Sequence, residues 1–428
     1  MKTDIKFFTT CLTAFLMITQ LSFAQKVSEL KFYNVKELIA EQKAVMLGQG
    51  EHHDSTYFYR LPSRLENIVR KEVWELGKDG AGIAIRFSTD SKCIGAKWTL
   101  TYNFGMAHMA YTGIKGLDIY TLNIKNSSNE NPKNKKIAKG KQKKQKGLKN
   151  QKKKKAKKQN LEKKENESQW MYAGTAFPNG KNSSNVFVRK MKGEKREYLI
   201  YLPLYDGIEE LEIGIDSLAT IYTPSSDLVP KYKTTDGSKE DLPIVFYGTS
   251  VTQGGCASRP GMAYPSIIER KTGIETINLG FSGNGRMDAN MADFIATIPA
   301  RAYVIDCLAN CTYDQTRDSS SYFISTIAMA HPDTPVYMVN NYKYPQQFIL
   351  PENNSDMQKE NKLWREIYET FSTVGCSVNG KETGPLKNLK FIDVSSKNIV
   401  GNEDTVDGTH LTDKGFARLA NAILNQMK

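Results

Sequence analysis

Pro243-Ile244-Val245-Phe246-Tyr247, followed at once by Gly248-Thr249-Ser250, is the stretch that decides the fold. Five apolar residues without polar alternation predict a strand buried on both faces, and the Gly-Thr-Ser that closes it predicts a tight turn into a helix. Outward from it, the same rhythm repeats. A helical stretch spans 264–271, then come strand 275–279, helix 288–297, strand 302–307 and helix 319–330. Strand 336–340, helix 356–374, strand 389–394 and a last helix 412–426 complete the series. Strands alternating with helices predict a parallel sheet covered on both faces. In such sheets ligands bind beyond the carboxyl ends of the strands, so the chemistry is sought there.

Upstream the texture differs. Ile83-Ala84-Ile85-Arg86-Phe87 and Ala96-Lys97-Trp98-Thr99-Leu100-Thr101-Tyr102 are short β-branched and aromatic runs separated by Gly, Asp, Ser and Asn. The pattern resumes at Met171 and continues through Glu197–Pro203 and Leu211–Ile215. Strands at this spacing predict an all-β sandwich or jelly roll over residues 26–225. Residues 226–241 read as a linker to the α/β half. A lysine-rich run over 125–168 interrupts the β half, as a loop between strands 117–124 and 170–173.

The 428 residues are 39% hydrophobic and 25% charged, which excludes a disordered or collagen-like chain. The formal charge of +13 is local. The run 125–168 holds 18 lysines and four glutamates, +14 in all, so the remainder is close to neutral. That run has almost no apolar or aromatic residues and no arginine. It reads as a solvated loop, with contact to anionic polymers as the alternative and no specific nucleic-acid recognition. At the N-terminus, Lys2 and Lys6 precede an apolar run, Phe7–Phe23, and Ser22-Phe23-Ala24 supplies small residues for cleavage after Ala24. Residues 1–24 therefore read as an export signal, too short and too threonine-rich for a stable membrane span. A secreted or periplasmic protein without a membrane span is expected. It would keep Cys93, Cys256, Cys307, Cys311 and Cys376, an odd and scattered set that reads as buried hydrophobes with at most one bridge.

Four strand ends or late loops carry residues suited to chemistry. Ser250 follows the first strand, Asn278-Leu279-Gly280-Phe281-Ser282-Gly283 the second, and Asp306-Cys307-Leu308-Ala309-Asn310 the third. Asp407-Gly408-Thr409-His410 precedes the last helix. Each alone reads as a cap or a turn. Together they contain what acyl transfer needs: a nucleophile, a base, an orienting acid and oxyanion donors.

This order of blocks resembles the SGNH (GDSL-like) hydrolase superfamily, over about residues 242–428. The resemblance implies a flavodoxin-like three-layer α/β/α domain with Ser250 as nucleophile, His410 as base and Asp407 as its partner. It implies an oxyanion hole formed by Ser250, Gly280 and Asn310, with neither cofactor nor metal required. Gly116-Leu117-Asp118-Ile119-Tyr120, Tyr59-Arg60-Leu61-Pro62 and Ala81–Phe87 are similar to the GxDLY-type β domain that precedes some bacterial members. Two departures stand out: Gly248-Thr249-Ser250 replaces Gly-Asp-Ser, and Leu308-Ala309 replaces the usual glycine before Asn310. The expectation is an exported serine esterase that hydrolyses small acyl esters, O-acetyl esters on carbohydrate first. A lipid-directed esterase or thioesterase, and a non-catalytic glycan-binding protein, are the alternatives. Gly254-Gly255-Cys256-Ala257-Ser258-Arg259-Pro260 reads either as the floor of a shallow site open to a bulky alcohol or as a simple turn.

Overall fold

The computed structural model describes residues 27–51, 57–123, 169–225, 242–396 and 399–427. The expected signal (1–24), lysine-rich insert (125–168) and linker (226–241) lie outside the described residues.

The C-terminal half is built on five parallel strands in the order Thr276–Gly280, Ile244–Gly248, Ala302–Asp306, Val336–Val339, Leu389–Ile392. Counted in chain order this is 2-1-3-4-5, the flavodoxin-like arrangement, with its switch point beside the first strand. The period of two divides the apolar side chains between two cores. Val245, Tyr247, Ile277, Leu279, Tyr303 and Ile305 face one; Ile244, Phe246, Ala302, Val304, Tyr337 and Val339 face the other. Both faces are covered, which is why the strands are apolar without alternation.

Helix ends differ from the sequence expectation for local reasons. The helix expected from residue 319 begins at Tyr313, because the Thr312 hydroxyl accepts from the Gln315 N–H at 3.2 Å and caps it. The one expected from 356 begins at Pro351, a residue whose fixed φ suits the first helical turn.

The N-terminal half is a sandwich of two antiparallel sheets. Leu30–Asn34, Ile208–Asp216, Ile94–Leu100 and Asn182–Val188 form one, in that order. Ile221–Tyr222, Ala84–Thr89, Arg196–Tyr201, Leu117–Asn123 and Gln169–Ala176 form the other, with Ala44–Leu47 added beside Ala84–Thr89. Ile94, Ala96, Trp98 and Leu100 meet Ile85, Phe87, Ile119 and Ile200 in the shared core. Leu117–Asn123 and Gln169–Ala176 pair antiparallel, ending at Asn123 opposite Gln169, so the chain leaves and re-enters the sheet at facing positions around the insert.

The second sheet is buried on its other face as well. Ala84, Tyr120, Leu199 and Tyr201 cluster there. They lie against the helix Tyr264–Thr272 of the C-terminal half: the Tyr201 hydroxyl donates to Glu269 at 2.9 Å, and the Arg270 guanidinium stacks 3.9 Å from the Tyr120 ring. Ala84–Thr89 is consequently buried at all six positions.

The upstream half is not purely β. Val35–Ala40, Lys71–Gly77 and Tyr111–Ile114 are helical. Leu61, Leu65, Val69, Val73 and Trp74 join the core around Tyr247, Leu279, Phe281 and Met291 rather than the sandwich. The spacing Leu65, Val69, Val73 was the available signal, masked by the surrounding strands. Packing thus crosses the chain boundary expected at 226–241.

Candidate functional site

Thr249 is extended (φ −97°, ψ −163°), and its hydroxyl accepts from the Val251 N–H at 3.2 Å, capping the short helix Ser250–Gln253. Threonine suffices for this cap, which needs only a side-chain oxygen. The helix stops at Gly254, whose φ of +112° is left-handed territory. Ser250 is thereby presented at the carboxyl end of the first strand, 8% exposed.

The last loop meets it. His410 Nε2 lies 2.9 Å from Ser250 Oγ, and His410 Nδ1 lies 2.6 Å from Asp407 Oδ2. Asp407 Oδ1 accepts from the backbone N–H groups of Thr409 (3.0 Å) and His410 (2.7 Å). Gly408 carries φ +91°, with the Gln346 side chain occupying the space a Cβ would take, so glycine is required there. The Tyr342 hydroxyl donates to the Thr409 carbonyl at 2.6 Å and ties the loop to the segment that follows strand Val336–Val339. Partial burial alone would raise the Asp407 carboxyl. The hydrogen bonds from the His410 ring and from the two backbone N–H groups outweigh it and hold the carboxyl at about 2. Asp407 is thus an anion whenever His410 works, and with Nδ1–H donating to it, Nε2 is left as the acceptor facing Ser250. The neighbouring Cys256 thiol is pushed up to about 12, by burial first and by the Asp407 charge second, and so stays protonated at neutral pH.

Of the expected oxyanion donors, Asn310 ends a 3-10 turn, Leu308–Asn310. Its Oδ1 accepts from the Gly285 N–H at 3.3 Å, which leaves the amide N–H groups to donate. Ser250 N–H, at the first position of its helix, has no intrahelical acceptor. Gly280 requires a correction. Its N–H is already donated to Asn278 Oδ1 at 2.9 Å, and a Cβ there would meet the Gln253 N at 2.2 Å. Gly280 is a glycine because its strand and the helix Ser250–Gln253 pack closely, and it has no N–H to spare. Three residues on, Gly283 sits exposed at φ +68° with open space beside it, and its N–H has no hydrogen-bond partner among the described residues. Spacing alone could not separate these two glycines.

Residues of the β half, unforeseen from sequence, hold the site from behind. Arg60 is buried; its Nη1 donates to the carbonyls of Asn278 (3.0 Å) and Gly280 (2.6 Å), its Nε to the Asp79 carbonyl (3.0 Å), and its Nη2 to that of Leu76. Gln253 Nε2 donates to Asp79 Oδ2 at 2.8 Å, while Gln253 Oε1 accepts from the Ser282 N–H at 2.9 Å. Burial raises the Asp79 carboxyl to about 8, against the opposing pull of Arg60. Tyr205 donates to the Ser250 carbonyl at 3.4 Å.

The loop after the nucleophile helix is also corrected. It is mostly buried under the β half rather than open. Thr112 Oγ1 donates to the Ser258 carbonyl at 2.5 Å, and the Gly261 N–H donates to Asp118 Oδ1 at 3.0 Å. Asp118, the aspartate of Gly116-Leu117-Asp118-Ile119-Tyr120, is fully buried and pairs with Arg259 at 3.2 Å. Its small residues serve close packing between the halves, as Gly113 against the Ala257 carbonyl shows. Cys256, Cys307, Cys311 and Cys376 are free thiols and all four are buried.

A sequence profile described as the GDSL-like Lipase/Acylhydrolase family matches residues 241–428, and one described as the N-terminus of Esterase_SGNH_hydro-type matches 30–162 and 160–221. A structure from Bacteroides ovatus ATCC 8483, described as a GDSL-like lipase, is similar at TM-score 0.71 and 29% identity over 92% of this chain and 96% of that one. The salicylyl-acyltransferase of a tetracycline biosynthetic pathway shares the fold at TM-score 0.63 and 14% identity, over 93% of this chain and 97% of that one. A family two carbohydrate esterase from Cellvibrio japonicus does so at TM-score 0.51 and 10% identity, over 93% and 97%. No curated protein matches the chain. Among the described residues, no helix is long and apolar enough to cross a membrane.

Proposed function

This chain belongs to the GDSL-like lipase/acylhydrolase family through residues 241–428, with the N-terminal domain of SGNH-type esterases ahead of it, and on that premise we propose an exported serine esterase that removes small acyl groups, acetyl first, from carbohydrate. The observation that carries the reading is one imidazole bridging Ser250 Oγ at 2.9 Å and Asp407 Oδ2 at 2.6 Å.

Ser250 Oγ attacks the ester carbonyl as its proton passes to His410 Nε2. The imidazolium is stabilised by the Asp407 carboxylate across the Nδ1–H bond. The carbonyl oxygen becomes an oxyanion, for which Ser250 N–H, the Asn310 amide and, in place of Gly280, Gly283 N–H are the donors. Collapse of the intermediate expels the alcohol, which takes the proton from Nε2. Water, deprotonated by His410, then attacks the acyl-serine, and the acid departs as Ser250 regains its proton.

The sugar ester reading is supported by an acid–base pair that sits at the surface, with 23% and 34% of the His410 and Asp407 side chains exposed. A bulky hydrophilic alcohol can approach such a pair without being engulfed. A second reading has its own support. Phe348, Ile349 and Leu350 are 85%, 63% and 40% exposed and begin two residues after Gln346, which packs on Gly408 of the Asp407–His410 loop. That apolar edge suits a longer acyl chain or a lipid alcohol. The lysine-rich run 125–168 adds a proposed contact with anionic polymers, screened by salt. Comparing kcat/KM for acetate, butyrate, octanoate and palmitate esters of one alcohol separates the readings. An optimum at acetate, with release of acetate from acetylated polysaccharide, is expected. An optimum at eight carbons or more overturns the carbohydrate reading in favour of the lipid one.

A further inference from the structure

Two side chains that take no part in the proposed reaction converge on the acid–base pair. His108 comes from the loop before helix Tyr111–Ile114 of the β half, and its ring centroid lies 5.8 Å from that of His410. Cys256 follows the nucleophile helix; it is buried, holds φ +70°, and donates its thiol hydrogen to the His108 carbonyl at 3.4 Å. One ligand atom from each of His108, Cys256, Asp407 and His410 lies within 4.8 Å of all the others. Sulfur, two imidazole nitrogens and a carboxylate oxygen are the donor types that Zn²⁺ takes, in fours. Metal–ligand lengths of about 2.0–2.3 Å place tetrahedral donors roughly 3.3–3.6 Å apart, so the set closes by about 1 Å, a movement open to the exposed His108.

We infer that His108, Cys256, Asp407 and His410 form a zinc site whose occupation switches the esterase off. On binding, the Cys256 thiol gives its proton to solvent, and thiolate and carboxylate together balance the dication. A metal drawing on Asp407 and His410 removes the carboxylate partner or the basic nitrogen that Ser250 needs. Inhibition therefore follows from the ligand set and not from blocking the entrance. The inhibitory consequence rests on the proposed serine mechanism; binding itself does not.

The test titrates the full chain, free of any affinity-tag histidines, with ZnCl2 by calorimetry, and in parallel follows hydrolysis of a chromogenic acetate ester. One Zn²⁺ per chain and matching loss of hydrolysis are expected. His108→Ala and Cys256→Ser should each keep metal-free activity, yet weaken zinc binding and raise the inhibitory concentration together. The weakening should be at least about tenfold, since losing a ligand costs no less than losing a residue that orients one. His108 is on the surface, so its variant folds even if substitution at Cys256 disturbs packing. No binding, or binding unchanged in His108→Ala, overturns the site; binding that weakens in His108→Ala yet leaves hydrolysis intact overturns the switch. A chain that hydrolyses no ester without zinc refutes the serine mechanism instead, and calorimetry then still decides the site.

Discussion

The two ends of the Ser250–His410 pair are held in opposite ways. Ser250 stands on a helix buried at every residue, fixed by groups from far along the chain: Asp79 on Gln253, Tyr205 on the Ser250 carbonyl, and Arg60 on the carbonyls of the adjoining strand. His410 stands on a part-exposed loop whose bonds are chiefly its own: Asp407 to Thr409 and His410, and Val406 to the His410 carbonyl at 2.8 Å. Ser250 is positioned by the packing of one half of the molecule on the other, His410 by local hydrogen bonding. Damage to the interface should therefore reach Ser250 first, and damage to the loop should stay with His410.

The comparison breaks at once if the pair does not act as a unit. Ser250→Ala and His410→Ala should each lower turnover on an acetate ester on the order of 10⁴-fold or more, with the double variant little worse than either. Near-native turnover in Ser250→Ala would end the serine mechanism.

Arg60 tests the interface. Arg60→Met leaves four backbone carbonyls and Asp79 without their buried cation. The expected loss is about 3–5 kcal/mol of unfolding free energy in urea, with both halves melting together. Unfolding that affects only the β half would show that the nucleophile does not depend on this clamp.

Asn310→Ala should cost kcat roughly 10²–10³-fold with little change in KM. A rise confined to KM would make Asn310 a binding residue and leave the oxyanion to backbone N–H groups alone.

The smallest effect concerns the loop. The Asp407 carboxyl is held at about 2, below its ordinary value, so its contribution to stability is present above about pH 4 and fades as the pH falls toward 2. Asp407→Asn should therefore lower Tm more at pH 6 than at pH 3. An equal loss at both would mean that the loop bonds do not favour the anion.

How much of this was legible follows from the same contrast. Asp407 and His410 announce themselves three residues apart, because a carboxylate can reach an imidazole and two N–H groups within one turn. The alternation of apolar strands and helices gave away the parallel sheet, since strands buried on both faces have no reason to alternate. Gly280 misled, because a glycine required by packing and a glycine with a free N–H look alike until hydrogen bonds are known. Leu65, Val69, Val73 and Trp74 misled as well: their helical spacing lies inside a β-rich stretch, and nothing local tells that they pack on Tyr247 and Leu279.

By itself, then, the sequence determined the layers of each half, the strand ends where chemistry collects, and the local Asp-x-x-His device, all of which depend on periodicity or on contacts a few residues long. Only the tertiary structure decided that Arg60, Asp79 and Asp118 brace the surroundings of Ser250, that the Gly254–Pro260 loop is mostly buried, and that His108 and Cys256 arrive beside His410. Those contacts join residues more than 140 positions apart, and no short-range pattern encodes them, because their energy comes from burying polar groups against partners that chain folding alone brings together.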